Sequence, residues 1–119
     1  MSCEVEFTGE FEAWWNDLSP EEQVSIDACV RLLEEKGVQL PFPYCSGIKK
    51  SKHSHMRELR IQHQGEPYRV LYAFDPRRVA ILLIGGCKAG DDRWYDKFVS
   101  MADRLYDEHL ETLKKEGEW

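Results

Sequence analysis

Residues 56–88 read MRELRIQHQGEPYRVLYAFDPRRVAILLIGGCK, and three strand-like runs can be cut from them. Met56 to His63 alternates apolar with polar side chains, the period of a strand with one covered face. Gly65 and Glu66 supply a turn before Tyr68 to Asp75. Pro76-Arg77 then turns the chain into Val79 to Gly85, its most apolar run. Connections this short join antiparallel neighbours, so the segment is expected to fold as a β-meander. Its last strand reads as interior because both faces are apolar, whereas the first two strands alternate.

Outward from the meander, helices are expected on either side. Ser19-Pro20-Glu21-Glu22 is a helix start, with Ser at the cap, Pro at the first position and Glu three residues on. That helix runs to about Lys36, buries Ile26, Cys29, Val30 and Leu33, and stops at Gly37. Before it, residues 3 to 7 form a short strand. Thr8 then caps a helix whose Phe11, Trp14, Trp15 and Leu18 recur at i, i+3, i+4 and i+7. Two helices so closely joined make an antiparallel hairpin. Trp14 and Trp15 are adjacent and cannot both face one core, so one is expected to stay partly exposed. Residues 38 to 55, with two prolines, Gly47 and no periodicity, read as a loop. From Asp91 onward, Trp94, Phe98, Met101, Leu105 and Leu113 mark an amphipathic C-terminal helix. Asp91 and Asp92 suit its N-terminus, and Lys114 and Lys115 its C-terminus. The expected order is β-α-α-β-β-β-α, one α+β domain over residues 1–119.

At 119 residues and 42% hydrophobic, the chain can bury roughly 65% of its unfolded surface and needs no staples. No apolar run approaches the ~18 residues of a membrane span. Met1-Ser2-Cys3-Glu4 lacks the basic and apolar regions of a signal peptide, so a cytoplasmic protein is expected. Cys3, Cys29, Cys45 and Cys87 lie far apart, which fits reduced thiols and gives no zinc spacing. His53-Ser54-His55 has no Cys or carboxylate close in sequence, so no metal or cofactor is expected.

Charge is distributed in blocks. Residues 1–44 carry ten acids and two bases, residues 45–88 nine bases and three acids, and residues 89–119 nine acids and five bases, for a net −6. A folded basic middle concentrates positive potential suited to phosphates, while the acidic flanks resist non-specific nucleic-acid binding. Lys49, Lys50, Lys52, His53, His55 and Arg57 are the candidate substrate-binding side chains of this stretch. Helices segregated onto one face would leave the other sheet face open. Glu58 and Arg60 share a face of one strand, Arg69 sits on the next, and Lys88 lies just beyond the third. A floor of Arg and Lys suits a phosphodiester.

The ordered set Glu58-Leu59-Arg60, Gly65, Tyr68-Arg69-Val70-Leu71-Tyr72 and Gly85-Gly86-Cys87-Lys88 resembles the RelE/ParE toxin superfamily, nearest its phage-derived HigB-like branch. The helical hairpin and the last helix fit the resemblance as well. It implies a RelE-like α+β fold and a type II toxin–antitoxin toxin. The implied enzyme is a metal-independent messenger-RNA endoribonuclease, ribosome-dependent in many relatives, that blocks translation. A cognate antitoxin, a small helix-turn-helix protein encoded beside it, is the implied partner. By position, Arg60, Arg69 and Lys88 correspond to family basic residues and Tyr95 to a tyrosine near the start of the last helix. Glu58 departs from the pattern, standing where some relatives carry a second lysine.

Such cleavage needs a base for the 2′-hydroxyl, an acid for the 5′-oxygen and cations for the phosphoryl charge. Arg69 and Lys88 suit the cationic role, and Tyr95, a loop histidine or Glu58 the proton transfers. Arg69→Ala is expected to abolish activity with the fold intact, on the premise that Arg69 is half-exposed. Two other functions fit the same fold: a ParE-like toxin that poisons gyrase without catalysis, and an inactive binding module in a repressor complex. The acidic hairpin with Trp14 or Trp15 is the expected antitoxin-docking side.

Overall fold

Ser19 accepts a hydrogen bond from the Glu22 N–H at 3.1 Å, and the Glu22 carboxylate accepts one from the Ser19 N–H at 2.7 Å. This reciprocal cap opens α2 (Pro20–Lys36), which Gly37 ends at a φ of 58°. Thr8 caps α1 (Gly9–Asn16) by accepting from the Phe11 N–H at 3.0 Å. Its hydroxyl also donates to the Leu83 carbonyl at 2.6 Å, which ties the hairpin to the sheet.

The computed structural model describes residues 2–118. Among them are five strands: β1 (Val5–Phe7), β2 (Cys45–Gly47), β3 (Arg57–His63), β4 (Glu66–Phe74) and β5 (Ala80–Cys87). They form one sheet in the order β1-β5-β4-β3-β2, with β1 parallel to β5 and the other pairs antiparallel. The meander and the interior position of β5 agree with the sequence. β2 does not: part of the expected loop pairs with β3, Ser46 opposite Glu58. A three-residue strand is too short to show a period.

The larger departure concerns the second sheet face. The hairpin covers one face through Phe11, Ile26, Cys29 and Leu33, which pack on Leu59, Val70, Tyr72 and Leu82. The other face is not open. Helix α3 (Trp94–Lys115) lays Trp94, Val99, Ala102, Leu105 and Tyr106 over Met56, Leu71, Ala73, Ile81 and Leu83. Leu71 and Ala73 make this face of β4 apolar beyond Arg69, so helix and strand bury each other. A register shift at Leu71/Tyr72, where Ile84 and Leu82 are the opposing residues, turns both Leu83 and Ile84 into this second core.

Two tryptophans use the Gly85-Gly86 pair. A Cβ on Gly85 would lie 2.3 Å from the Trp14 ring, and one on Gly86 would lie 2.9 Å from Trp94 Nε1. The strand is thin there, so an indole seats on each adjacent glycine. Trp14 and Trp15 are both half-buried against the first core, and Trp15 stacks on Phe11 at 6.3 Å.

At the far end of the sheet Asp75 organises the turn into β5. Its carboxylate accepts from the Arg77 N–H at 2.8 Å, the Val79 N–H at 3.2 Å and the Arg77 Nε at 3.0 Å, with His109 Nε2 at 2.9 Å. Burial opposes its charge, but hydrogen bonds from His109 and Arg77 and from the Val79 backbone outweigh burial and hold the carboxyl below its ordinary value. A depressed folded-state pKa contributes stability above the unfolded value near pH 4 and loses it as pH falls further. Asp75→Asn is therefore expected to cost about 2–3 kcal/mol at neutral pH, with the deficit shrinking below about pH 4. Urea unfolding of both proteins across that range measures it. A deficit independent of pH would show that the charge is not what stabilises the turn.

Candidate functional site

Alternation along β3 sends Glu58 and Arg60 to the α3 side, and Leu59 and Ile61 to the hairpin core. In register Arg60 lies directly opposite Arg69 of β4. Two opposed arginines in a covered sheet need a counter-charge, and Glu58 supplies it. Its Oε2 accepts from Arg60 NH1 at 3.1 Å, and its Oε1 lies 3.5 Å from Arg69 Nε. Ser46 Oγ and Tyr95 Oη each donate to the carboxylate at 2.6 Å. Glu58 and Arg69 are only 3% and 4% exposed. Arg69 NH1 donates to the Tyr68 carbonyl at 2.9 Å, and its Nε is one of two buried side-chain nitrogens without a hydrogen-bond acceptor among the described residues.

Tyr95 occupies the first turn of α3, where its ring meets that of Trp94 edge-on at 5.2 Å. The Lys88 ammonium sits 5.5 Å from the Tyr95 ring centroid. Lys88 is held there because its N–H donates to the Pro67 carbonyl at 2.9 Å, one step past the β5 ladder. Burial pushes the Tyr95 phenol above its ordinary pKa, and the hydrogen bond to the Glu58 carboxylate adds to the shift. The hydroxyl therefore keeps its proton at neutral pH. Glu58 and Tyr95 face a cleft of about 300 Å³ whose rim carries Gly47, Lys49, Lys50 and Asp92.

The structure thus gathers Arg60, Arg69, Lys88 and Tyr95 around Glu58, with Lys49 and Lys50 at the rim. It does not bring the other sequence candidates there. Arg57 points to the opposite sheet face, where its guanidinium donates to Cys45 Sγ at 3.2 Å. Lys52 and His53 reach Asp107 of α3, His53 Nε2 at 2.9 Å, and His55 Nε2 lies 3.2 Å from Tyr106 Oη. Those helix positions are three turns beyond Tyr95, which removes the loop histidines from the choice of proton carrier. Sequence reasoning misses Ser46, whose strand leaves no periodic trace, and offers Glu58 as a proton carrier without placing it at the centre of the cluster. The Glu58-Leu59-Arg60 alternation was the available signal. Among the described residues no group of three or more His, Cys, Asp or Glu side chains is placed to hold a metal. No helix among the described residues is long and apolar enough to cross a membrane.

An α-hairpin and a C-terminal helix on opposite faces of this sheet make a RelE-like α+β fold. A free-state mutant of the RelE toxin from E. coli superposes with a TM-score of 0.56 over 95% of this chain and 99% of that one, at 11% identity. The toxin–antitoxin complex RelBE2 from Mycobacterium tuberculosis contains a chain that matches with a TM-score of 0.55 over 73% of this chain and 99% of that one, at 16% identity. Residues 13–107 match the family described as "Phage derived protein Gp49-like (DUF891)". Two Mycobacterium tuberculosis (strain ATCC 25618 / H37Rv) relatives are similar in sequence. "Putative toxin HigB2" is 42% identical over 100 residues, 82% of this chain and 50% of that protein. "Putative toxin HigB3" is 40% identical over 94 residues, 78% of this chain and 81% of that protein. The chain belongs to the Gp49-like family, with HigB2 and HigB3 among its relatives, and its fold is RelE-like. It spans about half the length of the first of these relatives.

Burial changes what Arg69→Ala will do, since Arg69 is not half-exposed. The variant removes a buried cation beside Glu58, which keeps Arg60, Ser46 and Tyr95 as partners, and is expected to cost about 2–3 kcal/mol. Pairing it with Glu58→Gln should recover part of that loss, read as a double-variant cycle in urea unfolding. Additive costs would mean that the two side chains do not stabilise each other.

Proposed function

We propose that this protein is the toxin of a type II toxin–antitoxin pair and that it cleaves messenger RNA on the ribosome. The observation that carries the reading is a carboxylate and a phenol sharing one proton-bearing hydrogen bond of 2.6 Å beside two arginines and a lysine. On substrate entry the Tyr95 hydroxyl turns from Glu58 Oε1 to the scissile 5′-oxygen, and the Oε1 so freed takes the proton of the ribose 2′-hydroxyl as that oxygen attacks the adjacent phosphorus. The P–O5′ bond breaks, Tyr95 protonates the departing 5′-oxygen, and the products are a 2′,3′-cyclic phosphate and a free 5′-hydroxyl. Glu58 then returns its proton to Tyr95 through their direct hydrogen bond, which resets the pair. Arg60, Arg69 and Lys88 stabilise the negative charge on the phosphoryl oxygens. Arginine at the first two positions remains charged throughout, so it serves the charge and not the proton. Cytoplasmic action follows from the substrate.

Induced expression followed by mapping of RNA 5′ ends tests this. New breaks within translated messages are expected from the wild type. Tyr95→Phe and Lys88→Ala, both surface-reaching changes, should lower their frequency about 10²-fold while the circular dichroism stays unchanged. Growth arrest with DNA damage and no new message ends would replace this reading with gyrase poisoning.

The antitoxin is proposed to dock on the hairpin side. A groove of about 390 Å³ opens there, with Phe11, Trp15 and Val30 in its wall and Glu12, Asp27 and Glu34 around it. An apolar segment flanked by Lys or Arg complements it. Trp15→Ala should weaken the complex at least tenfold, whereas Arg60→Glu should change it little. The reverse ranking, measured by calorimetry, would move the antitoxin onto the basic cluster. Trp14→Ala is the poorer probe because Trp14 also packs on Gly85.

A further inference from the structure

Phe42 is 70% exposed, more than any other large apolar side chain among the described residues. It does not hang from a loose loop. Pro41 and Pro43 flank it, each fixing its own φ, and Pro43 also narrows the backbone choices of Phe42. The segment is pinned at both ends by buried Leu40 and Cys45, and the Arg60 N–H donates to the Tyr44 carbonyl at 2.9 Å. The ring is therefore held out in solvent by a stiff frame.

Arg60 lies over it. The Arg60 guanidinium stands 5.3 Å from the Phe42 ring centroid, while its NH1 lies 3.1 Å from Glu58 Oε2. A single guanidinium thus spans the interval between the proton-carrying carboxylate and an aromatic plane whose other side is open. We propose that Phe42 is a nucleobase-stacking subsite for single-stranded RNA. It would hold the base of a nucleotide next to the scissile phosphate, with Arg60 fixing the ring from behind. This inference rests on the ribonuclease reading above and names how that site holds its substrate. Stacking on an aromatic plane accepts any base because every base has a π-face, so the subsite would supply affinity and register with only a mild preference among bases. It also relieves the difficulty of an acidic protein binding RNA, since stacking does not depend on net charge.

The test uses the full chain and trinucleotide RNAs that are 2′-O-methylated throughout, so that they bind without being cut. Each carries 2-aminopurine at one of its three positions, a base whose fluorescence falls on stacking. Wild type and Phe42→Trp are expected to quench one position strongly. Phe42→Leu, folded by circular dichroism, should lose that quenching and bind about tenfold more weakly. Equal quenching by Phe42→Leu, or none by the wild type at any position, overturns the subsite. So does a Phe42→Leu protein whose RNA binding is unchanged and whose antitoxin affinity alone falls, since Phe42 would then be a protein contact. The probe cannot be cleaved, so these outcomes are separate from the appearance of new message ends, on which the ribonuclease reading stands or falls.

Discussion

Arg60 and Arg69 face each other across β3 and β4, two like charges opposed where Arg69 is buried, an arrangement that calls for an anionic partner. Glu58 is that partner, and much else is fastened to its carboxylate. Ser46 donates to it from the edge strand, and Tyr95 donates to it from the start of α3. An edge strand and a helix some fifty residues apart in sequence are thereby joined through one buried anion. The same contacts that satisfy the anion keep a phenolic proton aimed at it. Structural necessity and the chemistry proposed here use one set of atoms, which accounts for an acid among the basic residues of this face.

Helix α3 has a second role besides closing the sheet. Asp96, Asp103 and Asp107 stand seven and four residues apart, which puts them on one stripe of the helix. They hold Lys50, Ser51, Lys52 and His53 along its length. Most of the positive charge in residues 49–53 is therefore neutralised within the molecule. Lys49 at the cleft rim and Lys88 over Tyr95 keep positive charge beside the cleft, where Arg60 stands between Glu58 and Phe42. A small protein of net charge −6 can in this way offer phosphate contacts at one place while presenting little attraction for nucleic acid elsewhere.

What the sequence made legible follows from length and period. The capping box at Ser19, the Thr8 cap, the glycine stop at Gly37 and the three long strands each leave a local pattern, and each is found where that pattern lies. Helix α3 was legible as a helix, but its partner was not, because packing against the sheet is a property of two distant segments. Alternation in β3 reads, from sequence alone, as a solvent-facing polar face. Burial alone cannot be inferred from polarity when polar groups satisfy one another, and Glu58 and Arg69 do so. β2 leaves no periodic trace, so Ser46 could not be assigned a partner. The charge of the basic loop suggests a substrate-facing role, whereas the opposing acids lie some fifty residues later on α3.

The Gly85-Gly86 pair shows how the two faces constrain each other. Gly85 lies under Trp14 of the hairpin, and Gly86 lies under Trp94 of α3. Consecutive strand residues point to opposite faces, so one dipeptide receives an indole from each side. Trp94 immediately precedes Tyr95 and is 1% exposed, so its seat on Gly86 fixes where α3 begins and hence where the Tyr95 hydroxyl can reach. A side chain at Gly86 would push the indole away and lift the first turn of the helix off Glu58. A side chain at Gly85 would instead lift α1, whose neighbour Trp15 lines the groove on the hairpin side. The two glycines are thus required less for backbone freedom than for absence of bulk, and they set the thickness of the layer that separates a partner-facing hairpin from a substrate-facing cluster.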